Sequence, residues 1–207
     1  DQLLRHDLPL VQAVAAAGGH DITFAALKGR NQYACAARIA ELEMLDAAAA
    51  EHENPTDDRL FDLDDEPTPA PTASAAARRQ AKADAAEVSE LIDWSKRTTL
   101  GERTEAPACS DRAWSKISTS AADCPGAAAC PFSDKCFSER ARAIARSADI
   151  VVTNHALIAQ DIRATLDQAV PASENTTPGT SMFGKHDIVI IDEAHDLPSA
   201  LTSALST

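Results

Sequence analysis

Residues Asp187-Ile188-Val189-Ile190-Ile191-Asp192-Glu193-Ala194-His195-Asp196 set four consecutive β-branched apolar residues ahead of two carboxylates and an imidazole. Such a run reads as a strand buried on both faces, the pattern of a parallel sheet. Ligands of open α/β sheets gather at the carboxyl ends of the strands. Asp192 and Glu193 would then stand where Mg²⁺ and an attacking water meet a nucleotide γ-phosphate. A single Asp can hold a hard cation directly or through water, and the adjoining Glu can act as general base. For the two acids alone, a solvated turn after a buried strand is the plainer reading.

The 207 residues are enough for one sizeable core and a smaller annex. They show no signal peptide and no apolar run near ~18 residues, so no membrane segment is expected and the location reads as cytoplasmic. The formal net charge of −13 argues at first against a nucleic-acid partner. Much of it is local, however: between Glu51 and Glu66 eight acidic residues face Arg59 alone. That tract reads as solvated, and net charge does not decide the partner.

Working back to the start, Leu10, Val11 and Val14 lie at helical spacing until Gly18-Gly19 breaks the pattern. Residues 22–27 read as a strand, Lys28-Gly29-Arg30 as the turn at its carboxyl end, and 31–50 as a helix. Cationic side chains and turn amides at such a junction suit a phosphate, although a solvated basic turn has the same look. Residues 51–77, acidic and then rich in Pro, Thr and Ala, read as a flexible linker without secondary structure. Helical character returns over 78–97 through Val88, Leu91, Ile92 and Trp94. Residues 98–123 look irregular, with Trp114 as a local anchor. Ser138–Arg146 reads as a short helix, and 148–157 as a second buried strand, a polar turn and a helix. There Asn154 and His155 reach the sheet end, either to sense a ligand or, for Asn154, to cap the helix. The string Gly179 to His186 mimics a phosphate loop but has His where Ser or Thr must reach Mg²⁺. It also precedes a strand instead of following one, so it is rejected.

Cys124, Cys130 and Cys136 recur at equal spacing, two of them followed by Pro. Five cysteines without an export signal point to metal ligation or free thiols, not a disulfide framework. A tetrahedral site needs a fourth ligand, from Cys35 or Cys109. Zinc sites favour paired Cys-x₂₋₄-Cys knuckles, which are absent here. The wider loops suit the more distant corners of a [4Fe–4S] cluster.

Several of these stretches resemble one family. The run VIIDEAH resembles the DEAH box of superfamily-two helicases. Leu27-Lys28-Gly29-Arg30-Asn31-Gln32-Tyr33-Ala34-Cys35 is similar to the LKGRxNYxC stretch of the DinG branch of XPD-like helicases, with Asn31 and Gln32 in altered order. Ala148 to Leu157 resembles the ADxVVTNHALL stretch that follows the cluster domain there. The resemblance implies that Asp192 holds the Mg²⁺ of Mg-ATP, that Glu193 activates water, and that His195 links the ATP state to nucleic-acid contacts. It implies a [4Fe–4S] cluster on Cys35, Cys124, Cys130 and Cys136, with Cys109 left as a free thiol. It also implies nucleic-acid contacts at Lys28, Arg30 and Tyr33.

The expected fold is α/β, part of a RecA-like parallel-sheet motor domain with an inserted, mainly helical iron–sulfur cluster domain. Residues 1–34 and 147–207 would form the motor part, and residues 35–146 the insertion. These residues hold no other phosphate loop and no later helicase motif with an arginine finger. The expectation is therefore an internal part of a larger bacterial helicase, inactive toward ATP by itself. The parent would be a monomeric, nucleoid-associated 5′→3′ DNA helicase of repair or replication, acting on single-stranded DNA and on forked or tailed duplexes. Two other readings compete: a zinc-binding DNA or protein interaction module with a degenerate motor, and an ATPase or translocase that never unwinds a duplex.

Overall fold

Two three-residue strands, β1 (Phe24–Ala26) and β2 (Ile150–Val152), pair in parallel in the computed structural model, with Phe24 opposite Ile150 and Ala26 opposite Val152. The structure describes residues 2–52, 75–169 and 181–206. Parallel partners need a long crossover, and this one carries an entire folded unit. The chain divides into Asp1–Gly29 with Ser138–Thr207, and Arg30–Phe137. In sequence, the second unit is thus inserted between the two strands of the first. The α/β class expected from the sequence is present as helices together with a small parallel sheet.

In the first unit, α1 (Leu8–Ala17) continues directly from a π-helical turn (Leu3–Asp7), and its second residue is Pro9. It ends at Gly18, and Gly19 follows at φ 81°. Asp149 fastens the amino ends of the two strands. Its carboxylate accepts from the Thr23 N–H at 2.8 Å and from the Thr23 hydroxyl at 2.7 Å. These two bonds hold the Asp149 carboxyl below its ordinary range. At the other end the Thr153 hydroxyl donates to the Leu27 carbonyl at 2.9 Å. Ala25, Leu27, Ala145 and Leu157 form the core here, with Val151, Met182 and Phe183 packed against it. Burying a leucine contributes roughly 1.5–3 kcal/mol. Helix α5 (Phe137–Ser147) supplies Ala145, and α6 (His155–Ala169) supplies Leu157. Helix α7 (Leu197–Leu205) packs on α6, where Arg163 donates to the Ala204 carbonyl at 2.8 Å.

In the second unit, α3 (Ala75–Ser95) buries Val88, Leu91 and Ile92, as their spacing predicts. It packs on α4 (Asp111–Ile117), which buries Ala113, Trp114 and Ile117 and also meets α2 (Ala36–His52). Ser110 caps α4 by accepting the Ala113 N–H. Glu87 on α3 accepts both the Ser110 N–H and its hydroxyl, at 2.8 and 2.6 Å, and these bonds lower its pKa. Trp114 is the expected anchor: its indole N–H donates to the Asn31 carbonyl at 2.8 Å, and its ring lies 6.3 Å from that of Trp94.

Four expectations need correction. Residues 188–191 form no strand and stand in water, Ile190 with 90% of its surface exposed. A strand needs a neighbour to take its backbone groups, and β-branching alone does not supply one. Among the described residues, β1 and β2 pair only with each other. The helix expected from Asn31 begins at Ala36, because residues 30–32 form a tight turn and Tyr33 and Ala34 enter isolated bridges. Residues 98–123, expected to be irregular, contain α4. The span read as a linker over 51–77 begins within α2 and ends within α3; its residues 53–74 lie outside the described residues. No helix among the described residues is long and apolar enough to cross a membrane.

Candidate thiolate and nucleotide sites

Cys35 follows two residues held from both sides. Tyr33 bridges Glu102 and Ala34 bridges Ser118, both antiparallel. The Ala34 N–H donates to the Gly101 carbonyl at 2.8 Å, and the Cys35 N–H donates to the Ile117 carbonyl at 2.7 Å. Cys35 is therefore fixed beside the end of α4, seven residues before Cys124 in the chain. All five cysteines are half-buried, outside any disulfide, and in the same compact unit.

The loop that carries the other three thiols is shaped by its own turns. Gly126 takes φ 81°, and its carbonyl accepts from the Cys130 N–H at 3.0 Å. The Cys130 carbonyl accepts from Ser133, and the Ser133 carbonyl from Cys136. Cys-Pro steps at 124–125 and 130–131 leave the backbone without an N–H at positions 125 and 131. Four half-buried thiols on one unit are the donor chemistry that zinc or an iron–sulfur cluster takes. Among the described residues, no three His, Cys, Asp or Glu side chains gather closely enough to hold a metal ion. Cys109 precedes the capped start of α4, and burial pushes its thiol pKa up, the direction of an inert thiol.

Lys28 lies in the first unit, one residue before that unit's first segment ends at Gly29, and Arg30 opens the second unit; both are half-buried. Tyr33 is 2% exposed and belongs to the core of its unit. The partners of residues 33–35, namely Glu102 for Tyr33, Ser118 and the Gly101 carbonyl for Ala34, and the Ile117 carbonyl for Cys35, were not legible in advance. Backbone acceptors carry no side-chain signature.

The acid pair sits in a tight reversal between the exposed apolar run and α7. Glu193 adopts φ 48° and ψ 46°, the only positive φ among described residues other than glycine. That region costs a non-glycine residue roughly 1–2 kcal/mol, and such strain concentrates at functional positions. Asp192 supports it by accepting the Glu193 N–H on its own carboxylate at 2.9 Å. Ala194–Asp196 then forms a short turn, closed by the Asp196 N–H on the Glu193 carbonyl at 2.9 Å. His195 lies 3.3 Å from the Glu193 carboxylate and 3.6 Å from that of Asp196, and all three side chains are largely exposed.

Of the polar residues after β2, Asn154 is a cap: its side-chain oxygen accepts the Leu157 N–H at 2.9 Å. His155 reaches the acid pair, with Nε2 2.9 Å from the Asp192 carbonyl. A carbonyl only accepts, so Nε2 carries the proton in this contact. The rejected phosphate-loop mimic has a structural use. Buried Asp161 of α6 accepts the Ser181 hydroxyl at 2.7 Å and the Met182 N–H at 2.6 Å, which seats Met182 and Phe183 on the core. Its residues 179–180 lie outside the described residues.

No family model matches the chain. Comparison with curated proteins bears out the DinG-type resemblance over nearly its whole length. The chain is 38% identical over 204 residues, 98% of its length, to the ATP-dependent helicase DinG of Mycobacterium tuberculosis strain H37Rv. It is 30% identical over 205 residues to the ATP-dependent DNA helicase DinG of Salmonella typhimurium, and 29% identical to that of Escherichia coli K12. It spans about a quarter of the length of these relatives.

Proposed function

We propose that this chain, similar along 98% of its length to DinG helicases, is the part of an ATP-dependent DNA helicase that carries the cluster ligands and the second nucleotide motif. The observation that supports this most is the attachment of Cys35. A residue remote in sequence from the Cys124–Cys136 loop is hydrogen-bonded to the helix end that leads into that loop. In this reading Cys35, Cys124, Cys130 and Cys136 hold a [4Fe–4S] cluster. When bound, the cluster braces the fold, since four thiolate corners leave no open position for a substrate.

The two motor segments would complete a RecA-like domain, with the acid pair at its ATP cleft. Asp192 would ligate the Mg²⁺ of Mg-ATP. Glu193, held in its strained backbone position, would take the proton of the attacking water. His195, which stands against both the Glu193 and Asp196 carboxylates, would pass the state of that site to the DNA contacts. Lys28 and Arg30 would meet phosphates of single-stranded DNA. The parent protein would act in 5′→3′ direction on forked or tailed duplexes, as a monomer in the cytoplasm, in repair or replication.

The test uses the whole parent protein on a tailed duplex. Replacing Glu193 by Gln should lower DNA-stimulated ATP hydrolysis by about 10²–10⁴-fold and stop strand separation, with ATP binding retained. ATP hydrolysis by the parent without strand separation would favour the translocase instead. Unchanged hydrolysis by the Gln variant would overturn the role given to Glu193.

A further inference from the structure

Gly101 is buried at a point one residue removed from two of the proposed ligands. On one side its carbonyl accepts the N–H of Ala34, the residue before Cys35, at 2.8 Å. On the other lies the ring of Phe137, the residue after Cys136, itself only 8% exposed. A Cβ added at position 101 would overlap Phe137 Cγ, Cδ1 and Cδ2, and Gly101 holds φ 63°, a region side chains rarely adopt. Its N–H is also engaged, donating to the Thr98 hydroxyl at 3.0 Å. Glycine is thus required twice, for its conformation and for the closeness of an aromatic ring. Both requirements fall where the segments bearing Cys35 and Cys136 meet.

We propose that Gly101 and Phe137 form a clasp that sets the separation of Cys35 and Cys136 before any metal arrives, so that both are positioning residues for the thiolate site. The proposal rests on the four-thiolate reading for its purpose, but the clasp itself is a property of the metal-free chain. Without it, Cys35 would still be tethered to Ile117, but Cys136 would lose its fixed neighbour. The three loop thiols would then have to find Cys35 by closing a flexible loop, which costs entropy at each binding event. Partners that orient metal ligands from outside the ligand set are typically worth 10–100-fold in metal affinity.

The test reads thiol separation and metal retention independently. In the metal-free chain with Cys109, Cys124 and Cys130 replaced by Ser, a short bis-maleimide should bridge Cys35 and Cys136. Gly101→Val should reduce that bridging about tenfold and, with all cysteines present, speed loss of iron to a chelator by about the same factor. The near-ultraviolet circular dichroism of Trp94 and Trp114 should persist, which shows that α3 and α4 stay folded. Phe137→Leu, which keeps an apolar contact on Gly101, should retain most of the bridging, and Phe137→Ala should lose it.

Unchanged bridging in Gly101→Val, or none in the parent chain, overturns the clasp. Should Gly101→Val lose the tryptophan signal, Phe137→Ala decides by the same readouts; its unfolding too would mark the contact as ordinary core and overturn the proposal. A chain that takes up no iron yet bridges in a Gly101-dependent way would remove the four-thiolate reading and leave the clasp standing.

Discussion

The segment around Cys35 and the segment around Asp192 carry the two strongest sequence signals, and they end in opposite physical conditions. Tyr33 and Ala34 are buried, bridged to Glu102 and Ser118, with their backbone groups engaged. Ile188 to Ile191 carry far more strand-forming side chains, yet they are exposed and unladdered. The difference lies in neighbours, not in propensity. Residues 30–35 find acceptors within their own unit, at Gly101 and Ile117. The apolar run joins no ladder among the described residues, where the one sheet is β1 paired with β2. A strand is a relation between segments, and an isolated one is not stable in water.

That contrast can be broken by substitution. The largest effect is expected at Ile117, which is fully buried and whose carbonyl holds Cys35. Ile117→Ala should destabilise its unit by about 2–5 kcal/mol, read by denaturant unfolding followed through Trp94 and Trp114 fluorescence. Next comes Asp161, whose buried carboxylate accepts two hydrogen bonds from residues 181–182. Asp161→Ala leaves those donors unpaired and should cost about 1–3 kcal/mol, seen as faster hydrogen exchange along α6 and at Met182.

A smaller effect follows from acid. Asp149 and Glu87 have their carboxyls lowered by bonds from Thr23 and Ser110, from ordinary values of 3.8 and 4.5. Their contribution is therefore complete above those values and is lost as pH falls through the depressed native ones. Both units should weaken below about pH 4, and Asp149→Asn should flatten the acid limb for the β1–β2 unit alone. The smallest effect is expected at Ile190. Ile190→Thr should change the stability of this chain by less than about 0.5 kcal/mol, measured by the same denaturant curves. A cost like that at Ile117 would show that the run is packed after all.

How much could be read beforehand follows the same division. Side-chain periodicity marked α3 through Val88, Leu91 and Ile92, and a lone large apolar residue marked Trp114 as an anchor in a stretch read as irregular, because burial of apolar groups leaves a trace in the sequence. Helix α4 was missed because seven residues are too few for a period to show. Its signal was the cap at Ser110. The late start of α2 was hidden for another reason: Tyr33 and Ala34 are diverted by partners 69 and 84 residues away. The cysteine spacing was plain, but the hold on Cys35 lies in backbone carbonyls that any residue could supply. At the acid pair, the residue types were legible, whereas the left-handed backbone of Glu193 and the His155 contact depend on the turn that joins them to α7.

The central question is which thiols share a metal. Purified without oxygen, the chain and its single Cys→Ser variants can be compared by iron content and visible absorbance. The prediction is a brown protein, bleached by dithionite, whose colour survives Cys109→Ser and disappears in Cys35→Ser. A colourless zinc protein, or one that keeps its iron without Cys35 and loses it without Cys109, would contradict it.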